Sequence, residues 1–148
     1  MNIKVSSLYK QLQLPFPEYQ TQGSSGMDLY ACIEKSLTLQ SFERVLIPSG
    51  IFLEIPESLE GQTRSRSGLA FKKGLVLTGG IGTIDSDYRG EILLSITNID
   101  KNSQIIEPGE RIAQIVFVPI TRIVLKEVSE LTNTLRGQGG FGSTGVSL

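Results

Sequence analysis

Short runs of Ile, Val, Leu, Phe and Thr, broken every few residues by glycine, proline and polar clusters, set the pattern of this chain. Arg44-Val45-Leu46-Ile47 and Ile51-Phe52-Leu53-Glu54-Ile55 carry the period-two alternation of strands with one buried face. The same signals predict strands over 27–32, 37–39, 44–48, 51–56, 75–77, 91–98, 111–119 and 123–128. Pro48-Ser49-Gly50, residues 98–103 and Glu107-Pro108-Gly109-Glu110 are turn signals between them. Strands at this close spacing predict an all-β sandwich or barrel rather than a parallel α/β sheet. One segment departs from the pattern. Ser67-Gly68-Leu69-Ala70-Phe71-Lys72-Lys73-Gly74 offers a capping serine, helix-tolerant residues, late lysines and a closing glycine, which predicts a single short helix of about two turns.

Composition narrows the chemistry. A length of 148 residues predicts one domain with a sizeable core. The formal charge of −1 argues against a duplex-binding surface, so no nucleic-acid partner is expected. No apolar run approaches eighteen residues, and Met1-Asn2-Ile3-Lys4 begins no signal peptide. A single cysteine, Cys32, excludes an intrachain disulfide and fits a reducing compartment. The expectation is therefore a cytoplasmic protein with no membrane association. Histidine is absent, so a general base must be a carboxylate, and serine–histidine dyads are ruled out.

Five segments concentrate polar chemistry. Arg64-Ser65-Arg66-Ser67-Gly68 leads into the predicted helix, where free N–H groups, two arginines and two serines could grip an anion, or form a solvated basic turn. In 79–90, three glycines, Gly79, Gly80 and Gly82, precede Thr83, Ile84, Asp85 and Tyr88, which reads as a hairpin closing tightly on a ligand. Asp85-Ser86-Asp87 reads equally as ordinary turn residues. Asp28 sits at a strand start where aspartate is disfavoured, and Gln114 sits within an apolar strand. Either could instead complete a structural hydrogen-bond network.

The fifth segment is the tail, where residues 136–145 hold five glycines, Arg136, Phe141, Ser143 and Thr144. So much glycine predicts a mobile arm that orders only around something, or else a disordered tail. Arg136 suits phosphate, Phe141 offers a face for a base, and the hydroxyls and backbone N–H groups suit oxyanions. Gly137-x-Gly139-x-x-Gly142 matches a dinucleotide fingerprint only formally, because six residues remain after Gly142 and no helix can follow.

Taken in order, these segments resemble the five motifs of the trimeric dUTPases over nearly the whole chain. They run from Ser25-Gly26-Met27-Asp28-Leu29 through Arg66-Ser67-Gly68 and residues 82–90 to Glu110-Arg111-Ile112-Ala113-Gln114 and residues 136–145. The resemblance implies a jelly-roll-like β-barrel or sandwich over 1–135, with an arm at 136–148 closing over the active site. It implies a homotrimer with shared active sites and Mg²⁺-assisted hydrolysis of dUTP to dUMP and diphosphate. That reaction would limit uracil incorporation into DNA and supply dUMP for thymidylate synthesis. By position, Asp85 is similar to the carboxylate that activates water, and Tyr88 to the ring packed under the deoxyribose. Arg66, Ser67 and Gly68 resemble the phosphate grip, and Asp28 and Gln114 the groups that hold waters on the metal. Gly79, Thr83, Ile84 and Leu93 fall among the substrate-binding positions. Phe141 resembles the ring that covers uracil, and Arg136, Gly142, Ser143 and Thr144 fall in the part of the arm that closes on the nucleotide. Gly79 departs from the asparagine that many members carry, and Ile81 from a proline.

Two rivals stand beside this reading, a dCTP deaminase of similar fold and a nucleotide-sensing module without hydrolysis. The glycine arm with Phe141 disfavours the first, and Asp85, Tyr88, Arg136 and Phe141 together disfavour the second.

Overall fold

The computed structural model describes residues 1–140. Along the chain run β1 (Asn2–Val5), α1 (Ser7–Gln11), β2 (Met27–Tyr30), β3 (Leu37–Leu39), β4 (Arg44–Pro48) and β5 (Ile51–Glu54). There follow β6 (Leu59–Ser65), α2 (Ser67–Lys73), β7 (Leu75–Leu77), β8 (Ile81–Ile84), β9 (Leu93–Asn98), β10 (Gln104–Ile106) and β11 (Arg111–Pro119). All pairings are antiparallel: a four-stranded sheet β2-β11-β6-β8, a three-stranded sheet β4-β9-β7, and the pairs β1-β5 and β10-β3. These sheets do not close into a barrel, so the sandwich form of the all-β expectation is the one observed. The core lies between their apolar faces, with Leu29, Ile112 and Ile115 from the larger sheet and Ile47, Leu94 and Ile96 from the smaller all buried. Strand β9 follows the alternation rule closely, burying Leu94, Ile96 and Asn98 in turn. Among the described residues, no helix is long and apolar enough to cross a membrane.

Several expectations need correction. Among the described residues two helices form, not one. In α1 the Ser6 hydroxyl accepts the Tyr9 N–H at 3.1 Å, and Tyr9 is its only buried residue, which is too little sequence for a helical period to register. Helix α2 ends as expected, on Gly74 in the left-handed region with φ 61°. Any Cβ there would lie 2.8 Å from the Asp100 backbone N, so glycine is required by space as well as by φ. It does not begin as expected: Arg66 is the N-cap, no side chain caps the first turn, and Ser67 is the first helical residue.

Strands β1, β6, β8 and β10 were not among the eight expected. The sequence of β6, Leu59-Glu60-Gly61-Gln62-Thr63-Arg64-Ser65, is polar and contains glycine, so propensity argues against it. It is a strand because it pairs with β11 on one side and β8 on the other. The converse failure is 123–128, which has strand composition but forms no strand. Val124 and Leu125 there are 98% and 87% exposed and pair with no strand of the described residues.

Asn98 ties the smaller sheet to its turns. It is fully buried, and its amide nitrogen donates to the carbonyls of Leu39, Gln40 and Asn102 at 3.1, 3.2 and 2.9 Å. Its Oδ1 accepts the Asp100 N–H at 2.9 Å. Asn98→Ala should lower unfolding free energy by about 3 kcal/mol, the cost of leaving buried carbonyls unpaired. Urea unfolding checks this, and a loss under about 1 kcal/mol would mean that water replaces the amide.

Candidate active site

The register of the four-stranded sheet decides where the polar motifs meet. Asp28 on β2 pairs with Gln114 on β11, which pairs with Arg64 on β6. Arg66 follows the end of β6 and caps α2, so it stands beside Asp28. Together with Gln20, Ser24, Gly26, Ser67 and Gly68, the residues Asp28, Arg66 and Gln114 line a polar cleft of about 220 Å³.

Its electrostatics centre on one carboxylate. Asp28 Oδ1 accepts from Arg66 Nε at 2.8 Å, and Oδ2 accepts from Arg111 Nη1 at 3.1 Å. Arg66 Nη1 also donates to the Arg111 carbonyl at 3.0 Å. The Arg66 guanidinium is therefore oriented from two directions, which leaves its Nη2 for a ligand oxyanion. The first N–H groups of α2 have no acceptor within the helix, and a Cβ at Gly68 would meet nothing, so the cleft is open over them. Gln114 Nε2 donates to the Ser65 carbonyl at 3.0 Å. Lys73 belongs to the scaffold instead, bonded to Glu110 at 2.6 Å and to the Ile105 carbonyl at 3.0 Å.

A second cleft, of about 240 Å³, is lined by Thr83, Ile84, Asp85, Tyr88, Glu91 and Leu93. The Tyr88 N–H donates to the Asp85 carbonyl at 3.1 Å, a turn that sets carboxylate and ring on the same loop. Arg89 Nη1 closes that loop by donating to the Ser86 carbonyl at 2.6 Å.

These two clefts lie at opposite ends of the sheet. Ile84 pairs with Gly61, which puts Asp85 beside Glu60, whereas Arg66 is six residues further along β6. At about 3.3 Å per residue the separation is roughly 20 Å. One chain thus gathers Asp28, Arg66, Ser67, Gly68 and Gln114 in one place, and Thr83, Ile84, Asp85, Tyr88 and Leu93 in another. Gly79 precedes β8 at the strand end away from Asp85 and lines neither cleft. Arg136 sits in a turn of its own, its Nε donating to the Gly139 carbonyl at 2.9 Å, and also lines neither. Phe141, Gly142, Ser143 and Thr144 lie outside the described residues. The sequence reading missed Gln20, Ser24 and Glu91 as lining residues; Ser24, directly before Ser25-Gly26, and Glu91, directly after Arg89-Gly90, each adjoined a recognised motif.

Comparison with known proteins identifies the family. The dUTPase family profile matches residues 13–145. The deoxyuridine 5'-triphosphate nucleotidohydrolase of Aquifex aeolicus is 54% identical over 144 residues, covering 97% of this chain and 96% of that protein. Its counterpart in Hydrogenobaculum sp. is 49% identical over 146 residues, covering 99% of each. A mutant dUTPase of Staphylococcus bacteriophage 80alpha, solved with dUpNHpp, has a TM-score of 0.84 at 31% identity and covers 98% of this chain and 99% of its own. A mutant dUTPase of phage phi11, described with a structural Mg(II) ion, has a TM-score of 0.76 at 25% identity and covers 90% of this chain and 100% of its own.

Gly26 separates site from scaffold. A Cβ there would lie 2.7 Å from Gln114 Oε1, the mobile end of a side chain that can swing away. Gly26→Ala should leave the melting temperature within a few degrees while dUTP turnover falls about tenfold, equivalent to roughly 1.4 kcal/mol on the barrier. Unchanged turnover would remove Gln114 from the working residues.

Proposed function

The chain belongs to the dUTPase family and is a nucleotide hydrolase acting on dUTP, and we propose that it forms dUMP and diphosphate through a water activated by Asp85. In this reading Asp85 takes a proton as the water oxygen bonds to the α-phosphorus. The bond from that phosphorus to the bridging oxygen breaks, and diphosphate leaves. With histidine absent, the carboxylates lining that cleft are Asp85 and Glu91; Glu91 is engaged by the Gly50 N–H, which favours Asp85 as the base. Arg66 and the N–H groups of Ser67 and Gly68 take up charge on the departing phosphates, where preorganised donors are most effective. Arg136, Ser143 and Thr144 close on the triphosphate, and Phe141 covers the base. Tyr88 packs under the deoxyribose, so a 2′-hydroxyl would collide with it. Cytosine presents reversed donors and acceptors and would leave buried groups unpaired. The activity would limit uracil in DNA and supply dUMP for thymidylate synthesis.

Mg²⁺ fits the Arg66 cleft in one form. Among the described residues Asp28 is the only carboxylate there, and both its oxygens accept from guanidinium groups. Asp28 and Gln114 would therefore hold the ion through waters, with phosphate oxygens as its direct ligands, as Mg²⁺ prefers. When bound it would neutralise charge on those oxygens.

The observation that carries the proposal is the separation of the two clefts. The α- and γ-phosphorus atoms of one triphosphate are only two bridging oxygens apart, yet Asp85 and Arg66 of one chain are roughly 20 Å apart. A second copy bringing its own Asp85 to this chain's Arg66 removes the conflict, which supports a homotrimer with shared active sites. Ile123, Val124 and Leu125, exposed at 75%, 98% and 87%, are apolar surface that another copy would cover. Residues 1–135 then act as the body, and 136–148 as an arm closing over the site.

Asp85→Asn should keep binding of a non-hydrolysable dUTP analogue while turnover falls at least about a hundredfold. Mixing full-length Asp85→Asn chains with chains truncated before Arg136 should restore partial activity, because each supplies what the other lacks. Near-normal turnover of Asp85→Asn would sink the base assignment. No recovery after verified subunit exchange would mean that each arm closes over its own subunit's Asp85.

A further inference from the structure

Among the described residues, Tyr88 is the only aromatic ring lining the Asp85 cleft, and its free end is held by a residue outside the recognised motifs. The ring is 43% exposed, so packing alone does not fix it. Its hydroxyl donates to the Glu91 carbonyl at 2.9 Å. The approach is possible because residue 90 is glycine: a Cβ at Gly90 would overlap the Tyr88 hydroxyl.

Glu91 is in turn anchored to the core. Its Oε1 accepts the Gly50 N–H at 2.7 Å, a charge-assisted bond. Gly50 has φ 71°, and a Cβ there would lie 2.8 Å from both Cys32 Sγ and Tyr9 Cδ2. Tyr9 and Cys32 are both buried, so the Gly50 turn cannot shift without disturbing the core. The Gly50 carbonyl accepts the Ser6 N–H at 2.8 Å. The next residue, Ile92, accepts the Ser49 N–H at 3.2 Å and donates to the Ile51 carbonyl at 2.9 Å. Side chain and following peptide are thus both clasped by the turn joining β4 to β5. The chain of contacts runs from Tyr9 and Cys32 through Gly50 and Glu91 to the Tyr88 hydroxyl.

We infer that Glu91 is a positioning residue: it transmits the rigidity of the Gly50 turn to Tyr88 and so sets how strictly the site separates deoxyribose from ribose. This rests on the reading of Tyr88 as the ring under the sugar. A tethered ring stands firm against a 2′-hydroxyl, whereas an untethered one can tilt to admit it. Loss of the tether therefore raises use of the ribonucleotide relative to the deoxyribonucleotide. A purely structural role would slow both substrates alike and leave their ratio unmoved.

The test is kcat/KM for dUTP and UTP on the full chain with Mg²⁺, for Glu91→Ala, Glu91→Gln, Tyr88→Phe and Tyr88→Ala. Glu91→Ala should cut the dUTP-to-UTP ratio about fivefold, the scale of one net hydrogen bond, while Glu91→Gln, which keeps an acceptor for Gly50, should hold it within about twofold. Tyr88→Phe removes the tether without touching the Gly50 turn, so it should match Glu91→Ala and decides the matter if Glu91→Ala fails to fold. Tyr88→Ala should collapse the ratio. If Tyr88→Ala leaves it intact, the sugar-packing reading falls and this inference with it. If Tyr88→Ala collapses it while Tyr88→Phe and Glu91→Ala do not move it, the tether alone is overturned.

Discussion

The antiparallel register of β6 against β11 and β8 is the constraint on which the rest of the molecule depends. It pairs Gln114 with Arg64 and Gly61 with Ile84, and so assigns each polar motif to one end of the sheet. A slip of one residue would turn Thr63 outward and drive Gln62 and Arg64 into the core. The core resists this through Gly61, where a Cβ would lie 3.1 to 3.3 Å from Ile55, Ile115 and Ile84. Any larger side chain at that position forces those neighbours to give way.

Electrostatics then refine what the register has placed. The chain has a net charge of only −1, so cationic character at the Arg66 cleft must be local. Asp28 provides the anchor, accepting from Arg66 and Arg111 while being itself largely shielded, its side chain 12% exposed. Such a partly buried pair contributes less to stability than to orientation, since desolvation offsets much of the attraction. What it secures is the direction of the Arg66 fork.

The two clefts hold the candidate site residues at opposite ends of one sheet. Asp85 and Tyr88 share a turn, Arg66 and Ser67 share the start of a helix, and the sheet holds the pairs apart. Were another copy to complete the site, as proposed, each half would stay preorganised without ligand, which favours stabilisation of charge in a transition state. The cost is an exposed apolar segment around Ile123 to Leu125 in a chain without partners.

Much of this was legible in the amino-acid sequence. The β-branched runs fixed most of the core strands, because alternation and propensity agree there. Gly74 marked the end of α2, and the ordered motifs named Asp28, Arg66, Asp85, Tyr88 and Gln114 before any of them had a place in space. The rest depended on partners distant in the chain. Strand β6 is polar and becomes a strand only between two others, while 123–128 looks like a strand and pairs with none among the described residues. Helix α1 rests on one cap and one buried tyrosine, and the hold of Glu91 on Tyr88 depends on a turn forty-one residues earlier. Local pattern records what a residue prefers, whereas backbone pairing and the separation of the clefts depend on what stands opposite it, and only the folded chain decides that.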